Sequence, residues 1–293
     1  MINSWVIGQA IINGILQGGI YALVAVGVTI VFGVMKMVNF AMGEFVTLGM
    51  YMTWWCYSIT GLSSYTLIPL VLVIVAIIAW AFFHATLKPL LGRDSTSFIL
   101  MTFGLSYLLQ NSLLIIFGAN SLVVASDIKN ASLVINDYVF NYPKIIAFAV
   151  ALTSVVILNF VLTKTTVGRC MRATSENAEI AEMLGINSIR SFSMAFVLGI
   201  VLAGLAGALL TPLYFVTTTT GAALKTTGLM IVVLGGMGNI KGAFIGALMV
   251  GVVESLVACL IGADLGPAGI FVLFLIVVYF KPQGLFGKGG RVA

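Results

Sequence analysis

Apolar runs separated by short polar gaps make up most of this chain. They occupy 12–34, 40–57, 66–85, 98–117, 145–162, 192–210, 227–234, 243–261 and 268–280. A helix needs about 20 mostly apolar residues to cross the hydrocarbon layer of a bilayer. Most of the runs meet that length and predict spanning helices. Two do not. The run 227–234 is too short, and 40–57 is interrupted near its start by Gly43 and Glu44. Both are expected to be broken or re-entrant elements, because non-helical backbone survives at membrane depth only against protein or a wet cavity. The pattern predicts an all-α, polytopic transmembrane helical bundle with about eight or nine hydrophobic segments. The gaps are short enough to make residues 1–293 a single membrane domain.

Composition agrees with that pattern. Of 293 residues, 61% are hydrophobic and 8% charged, with a mean hydropathy of +1.17. Soluble domains carry about 25% charged residues, so the lipid bilayer is part of this chain's solvent. The net charge of +5 does not mark a nucleic-acid surface, because the cations sit in short loops. Loop 87–96 holds Lys88 and Arg93; loop 163–191 holds Lys164, Arg169, Arg172 and Arg190; the tail after Phe280 holds Lys281, Lys288 and Arg291. Loop 59–65 has none, and loop 118–143 has only Lys129. The positive-inside rule places the three basic loops in the cytoplasm. The first apolar run lacks a basic leader and is too long for a cleaved signal, so it is expected to be retained.

Small residues recur at four-residue spacing, as in Gly199, Ala203 and Gly207, and in Ala243, Ala247 and Gly251. Such stripes let helix backbones approach closely in lipid. Asn39-Phe40-Ala41-Met42-Gly43-Glu44-Phe45 and Gly238-Asn239-Ile240-Lys241-Gly242-Ala243-Phe244 hint at an internal repeat. Repeated transporters put interrupted segments at the substrate path. Asn39, Phe40, Met42, Gly43, Glu44, Gly238 and Asn239, with Gly235 and Gly236 of the glycine-rich stretch just before the second segment, are the candidate pathway residues.

The longest basic loop carries a second pattern. Ser175 can cap a short helix over 175–184, with Glu176 and Glu179 in its first turn. Ile180, Met183 and Leu184 form an apolar stripe at i, i+3 and i+4, and Gly185 can end the helix. The stripe can pack on its own bundle, lie on the membrane, or dock into a groove of a cytoplasmic partner.

Ionisable residues within the apolar runs are few: Lys36, Glu44, Lys225, Lys241 and Glu254. Each must face protein, water or an interface. Lys225 can pair with Glu254, or both can sit at interfaces. His84, the single histidine, ends an apolar run as an interfacial side chain. Cys56, Cys170 and Cys259 show no metal or disulfide spacing. No phosphate-binding loop, zinc motif or nucleophile elbow occurs, so no catalytic residue, metal or cofactor is expected.

Several ordered motifs resemble one known family. They are Gly18-Gly19-Ile20-Tyr21-Ala22-Leu23, Val38-Asn39-Phe40-Ala41, Thr102-Phe103-Gly104-Leu105-Ser106 with Leu109-Gln110-Asn111, Gly168-Arg169 with Met171-Arg172-Ala173, Leu184-Gly185-Ile186, Val233-Leu234-Gly235-Gly236-Met237-Gly238, and Pro282 with Gly284-Leu285-Phe286-Gly287. Along nearly the whole chain they resemble the LivH-type permeases of branched-chain amino acid ABC importers. The chain departs from that family's pattern at Met42, where histidine is common, and at Lys281, where arginine is common.

The resemblance implies a bacterial inner-membrane permease that works with a homologous second permease subunit. Two cytoplasmic ATPase subunits would bind beneath, and an external substrate-binding protein would deliver the cargo. It also implies that 163–191 is a cytoplasmic coupling loop. Arg169, Arg172, Glu176, Glu179, Ile180, Met183, Leu184 and Gly185 would then contact the ATPases. The same machinery carrying urea or short amides is an alternative. A stand-alone secondary transporter is another, and it would need a coupling-ion site from Glu44, Glu254 or Asp264.

Overall fold

In a computed structural model, residues 4–124, 132–135 and 138–287 are described; Lys129, Lys288 and Arg291 lie outside them. The chain is an all-α transmembrane bundle. Its helices are α1 (Ser4–Met35), α2 (Met42–Thr60), α3 (Ile68–Phe82), α4 (Ser95–Phe117), α5 (Tyr142–Lys164), α6 (Thr166–Glu176), α7 (Ala178–Met183), α8 (Ser188–Leu210), α9 (Thr220–Gly235), α10 (Ile240–Leu260) and α11 (Gly266–Phe280). Seven helical stretches among the described residues are long and apolar enough to cross a membrane, and α9 is a shorter apolar helix. Each of the nine apolar runs corresponds to a helix.

Two long helices and the buried first half of α2 sit at the centre, and the others shield them. Most of α1 and α8 is buried, whereas α4, α5, α10 and α11 leave most of their residues at least partly exposed. In a membrane this inversion is expected, since lipid solvates apolar side chains as well as a core does. The central helices run antiparallel, with Gln17 beside Tyr214 and Gly27 against Gly199. A Cβ on Gly27 would stand 2.6 Å from the Gly199 carbonyl oxygen, and one on Gly199 would stand 2.7 Å from that of Gly27. The α1–α10 contact is built in the same way: Gly14 and Gly18 face Gly251, Ala247 and Leu248. The small-residue stripes are therefore contact surfaces.

The segment 36–41 and helix α2 differ from expectation. Gly43 and Glu44 do not interrupt a helix; they lie in the first turn of α2, which runs unbroken to Thr60. The irregular part is the preceding 36–41, which leaves α1 through Lys36 at a positive φ of 54°. It then climbs back along the bundle, so that the Met42 side chain reaches Gly27, about two turns before the end of α1, and Gly199, at the middle of α8. The short element also grows: α9 covers Thr220–Gly235 rather than 227–234 alone. It likewise begins after an irregular segment, 211–219, that leaves the end of α8.

Thus α1–α2 and α8–α9 are matching pairs of opposite sense, each a full helix followed by a shorter one starting inside the bundle. The irregular segment that precedes α9 is 211–219, and the Gly238 stretch lies in the α9–α10 turn.

The loop after α4 contains an unforeseen hairpin. Strands β1 (Ser132–Ile135) and β2 (Tyr138–Asn141) pair antiparallel, with Leu133 opposite Phe140. The start of α1 anchors it. Gln9 Nε2 donates to the Val139 carbonyl at 2.7 Å, and the Val139 amide donates to Gln9 Oε1 at 2.9 Å. Trp5 packs on Tyr138 with ring centroids 4.6 Å apart. This marks one end of the bundle. Lys88, Arg93, Lys164, Arg169, Arg172, Arg190 and Lys281 gather toward the other, the basic end.

Candidate functional site

The starts of α2 and α9 meet inside the bundle. A Cβ on Gly43 would overlap the Gly221 carbonyl oxygen, and one on Gly221 would overlap that of Gly43. The two backbones can approach this closely only because neither has a side chain. Thr47, one turn into α2, accepts a hydrogen bond from the Gly221 amide at 2.9 Å. One half-helix thus satisfies an otherwise orphaned first-turn donor of the other.

Charge is placed at the same junction. Glu44 is 1% exposed, and its Oε1 lies 3.8 Å from Lys225 Nζ, whose side chain is 19% exposed. Ser106 on α4 donates to Glu44 Oε1 at 3.1 Å, and Lys225 Nζ donates to Ser106 Oγ at 3.4 Å. A carboxylate in the first turn of α2 also interacts favourably with that helix's positive end. Lys225 therefore pairs with Glu44 and not with Glu254, which accepts from Tyr21 Oη at 2.7 Å. Glu44 Oε2 and Asn39 Nδ2 are buried with no hydrogen-bond partner among the described residues.

A cavity of about 420 Å³ opens beside this cluster, lined by Phe40, Phe103, Lys225, Leu229, Val233 and Phe274 among others. Phe40 stacks on Phe103 at 4.3 Å between centroids and 19° between planes. The Lys225 side chain supplies the cation on an otherwise mostly apolar wall.

The predicted pathway residues divide between two places. Phe40 lines the cavity and Glu44 forms its buried ion pair. Asn39 shapes the approach, its Oδ1 accepting from the Ala41 amide at 2.9 Å. Met42 and Gly43 are packing residues of the junction. Gly235, Gly236, Gly238 and Asn239 lie instead at the basic end, around the turn from α9 to α10. There Asn239 Oδ1 caps α10 through the Gly242 amide at 3.1 Å, while its Nδ2 donates to the Phe286 carbonyl at 2.9 Å. The Leu285 amide donates to the Leu234 carbonyl at 2.7 Å. The glycine-rich turn thus holds the C-terminal segment. A second cavity of about 670 Å³ lies here, and Val233 lines both cavities.

The basic loop folds as a two-helix arm, not as one helix from a Ser175 cap. Helix α6 carries Arg169, Arg172 and Ser175 and ends at Glu176. Ser175 Oγ donates back to the Arg172 carbonyl at 2.7 Å. The cap is Asn177, whose Oδ1 accepts from the Ile180 amide at 3.1 Å and starts α7. Asn177 competes better because its extended backbone (φ −154°, ψ 113°) breaks the helix just where its side chain can reach the next turn.

Glu179 lies in the first turn of α7, and Gly185 ends the arm at φ +82°. Arg172 hydrogen-bonds the Leu162 carbonyl and ties the arm to α5. Ile180, Met183 and Leu184 are 55%, 84% and 75% exposed, so the apolar stripe does not pack on its own bundle.

A family model for the permease component of branched-chain amino acid transport systems matches residues 10–280. The chain belongs to this permease family. The permease is 27% identical to the high-affinity branched-chain amino acid transport permease BraD of Pseudomonas aeruginosa, over 96% of this chain and 95% of the relative. It is 28% identical to LivH of Salmonella typhimurium over the same shares. It is 26% identical to the probable LivH of Methanocaldococcus jannaschii, over 94% of this chain and 91% of the relative. Among solved structures, PsaBC from Streptococcus pneumoniae in complex with Fab aligns with a TM-score of 0.52 at 11% identity, covering 92% of this chain and 91% of that one. That likeness concerns the fold.

Thr47, Gly221 and the role of Ser106 in this permease are not foreseeable from the sequence. A threonine or glycine in an apolar run carries no signal of its own; only the crossing of α2 and α9 gives these residues a task. Lys225 stands out as a cation in an apolar context, but its partner does not.

Proposed function

We propose that this permease is the membrane subunit of an ATP-driven importer of branched-chain amino acids in the bacterial inner membrane. A homologous second permease pairs with it, two ATPase subunits bind at the basic end, and an external binding protein delivers substrate at the hairpin end. The observation that carries the reading is the exposed stripe of Ile180, Met183 and Leu184 on an arm held to the bundle by Arg172. An apolar stripe on a short helix at the basic end fits a groove in a partner. Arg169, Glu176 and Glu179 flank it with charges that set the partner's orientation.

The path runs past the junction of α2 and α9. A branched-chain amino acid presents an apolar side chain and a carboxylate, and the Phe40–Phe103 cavity offers an apolar wall and the Lys225 cation. Movement of the arm reaches α5 through Arg172 and α8 through Ser188, whose Oγ donates to the Ala178 carbonyl at 3.2 Å. Since α8 packs on the junction, the motor's stroke can open and close the path by tilting half-helices rather than by unfolding anything.

Reconstitution of the permease pair with its ATPases and binding protein in vesicles tests the reading. ATP-dependent leucine uptake is expected, and Met183→Asp is expected to abolish it without preventing insertion. Uptake driven by a sodium or proton gradient in the permease alone would overturn it.

A further inference from the structure

A cleft of about 670 Å³ lies at the basic end between the last turns of α3, the end of α5 and the first turns of α8. It belongs neither to the junction cavity nor to the arm's exposed stripe. Each of its three walls carries a polar residue toward the basic end and an apolar one deeper, with Ile189 and Val167 adding apolar surface near the rim and Ser193 a hydroxyl further in. On α8, Arg190 lines the rim and Met194 and Val197 line the interior; on α3 and its extension, His84 stands at the rim and Trp80 one turn deeper; on α5, Thr165 follows Val161 in the same order. In the pairs Arg190–Met194, His84–Trp80 and Thr165–Val161 the polar residue lies four positions nearer the basic end than its apolar partner. At 1.5 Å per residue the apolar floor of α8 extends about 10 Å below Arg190. That depth suits the upper part of an acyl chain, not a soluble ion.

The rim has a definite electrostatic character. The Arg190 guanidinium is exposed and makes no hydrogen bond or ion pair among the described residues, and no carboxylate lines the cleft. No carboxylate there would pair with the ammonium of a zwitterionic headgroup. The His84 ring packs on Trp80 at 4.4 Å between centroids, and its Nδ1 donates to the Trp80 carbonyl at 3.0 Å. This fixes both rings as one side of the slot. The chain here leaves regular α-helix for a single π-turn, Phe83–Leu87, a local distortion frequent at functional sites.

We propose that this cleft binds an anionic phospholipid of the facing leaflet, its phosphate on Arg190 and one acyl chain along Trp80, Met194 and Val197. Basic pockets between helices at this level recognise anionic headgroups in this way. Thr165 and Val167, where α5 passes into the arm, also line the cleft. A lipid seated there braces the base of the arm. The inference does not depend on which solute is carried.

Trp80 is a built-in reporter, one of four tryptophans in the chain. The full chain with Trp5, Trp54 and Trp55 replaced by Phe is reconstituted in phosphatidylcholine vesicles. Brominated phosphatidylglycerol or brominated phosphatidylcholine is then added at equal mole fraction. Quenching of Trp80 by the anionic lipid is expected to reflect about fivefold enrichment, the order one cation near the membrane surface supplies. Arg190→Gln should remove the preference and Arg190→Lys should retain much of it, which separates charge from folding. Equal quenching by both lipids, or a preference that survives Arg190→Gln, overturns the proposal. Displacement by millimolar inorganic phosphate would identify the ligand as free phosphate and overturn it as well.

Discussion

Gly43 and Gly221 face each other at the starts of α2 and α9, each leaving room for the other's carbonyl oxygen where a side chain would stand. The contact is reciprocal because the two half-helices approach from opposite ends and cross at their first turns. Close packing of this kind holds helices together where lipid removes the usual hydrophobic drive.

Replacing either glycine by leucine should therefore separate the half-helices. Gly43→Leu and Gly221→Leu are expected to yield little folded protein, read as loss of the monodisperse peak on size exclusion in detergent. Gly104 in α4 has open space where a Cβ would stand, so Gly104→Ala should be neutral or stabilising by up to about 1 kcal/mol. Equal damage at Gly43 and Gly104 would remove the junction from the account.

The Glu44–Lys225 pair makes a second prediction. Lys225→Met leaves the carboxylate buried without its cation, and removing one partner of a buried pair costs about 3–5 kcal/mol. The partial exposure of Lys225 puts this case toward the lower end. Glu44→Gln together with Lys225→Met should recover part of the loss in thermal stability, while leucine uptake stays low for want of the cation. If the double variant is as unstable as the sum of the two singles, the residues are not coupled.

The arm offers a third. Asn177→Ala removes the α7 cap, a change worth about 1 kcal/mol. Hydrogen exchange at the amides of 178–184 should accelerate about fivefold, the factor that this loss of free energy corresponds to, with no change in the exchange of α8. Unaltered exchange would mean that Asn177 does not hold the short helix.

A fourth concerns the stripe itself. Since Met183 and Leu184 are among the most exposed apolar side chains, Met183→Asp with Leu184→Asp should leave the melting temperature of the isolated permease unchanged. Co-purification of the ATPase subunits should fall severely. Retention of the ATPases would place their docking surface elsewhere.

At the basic end, Asn239→Ala should free the C-terminal segment, because both the α10 cap and the bond to the Phe286 carbonyl depend on that side chain. Limited proteolysis is expected to cut near Phe286 sooner than in the parent. An unchanged digestion pattern would show that the Leu285–Leu234 backbone bond suffices.

Much of the architecture is legible in the chain. Apolar runs give helices in lipid almost without alternative, since unsatisfied backbone there costs several kcal/mol per group. The stripe of Ile180, Met183 and Leu184 follows from spacing alone, and so does the end at Gly185. The cap falls at Asn177 rather than Ser175 although both residue types can cap; the choice depends on which one breaks from helical backbone. The places of the candidate pathway residues are less legible. Phe40 and Glu44 stand at the cavity, while Gly236 and Asn239 hold a turn far along the bundle.

Membrane residence, repeated crossing, a basic end and a polar arm leaving the bundle there all follow from the order of residues alone. Those features depend on residues near one another in the chain, where hydrophobic period and charge speak directly. Three others needed the folded bundle: that α2 and α9 start inside it, that Glu44 takes Lys225 while Glu254 takes Tyr21, and that Thr47 receives an amide 174 positions further along the chain. These depend on which backbones can touch. In a bundle rich in glycine many pairings share the same local pattern, and the crossing itself selects one.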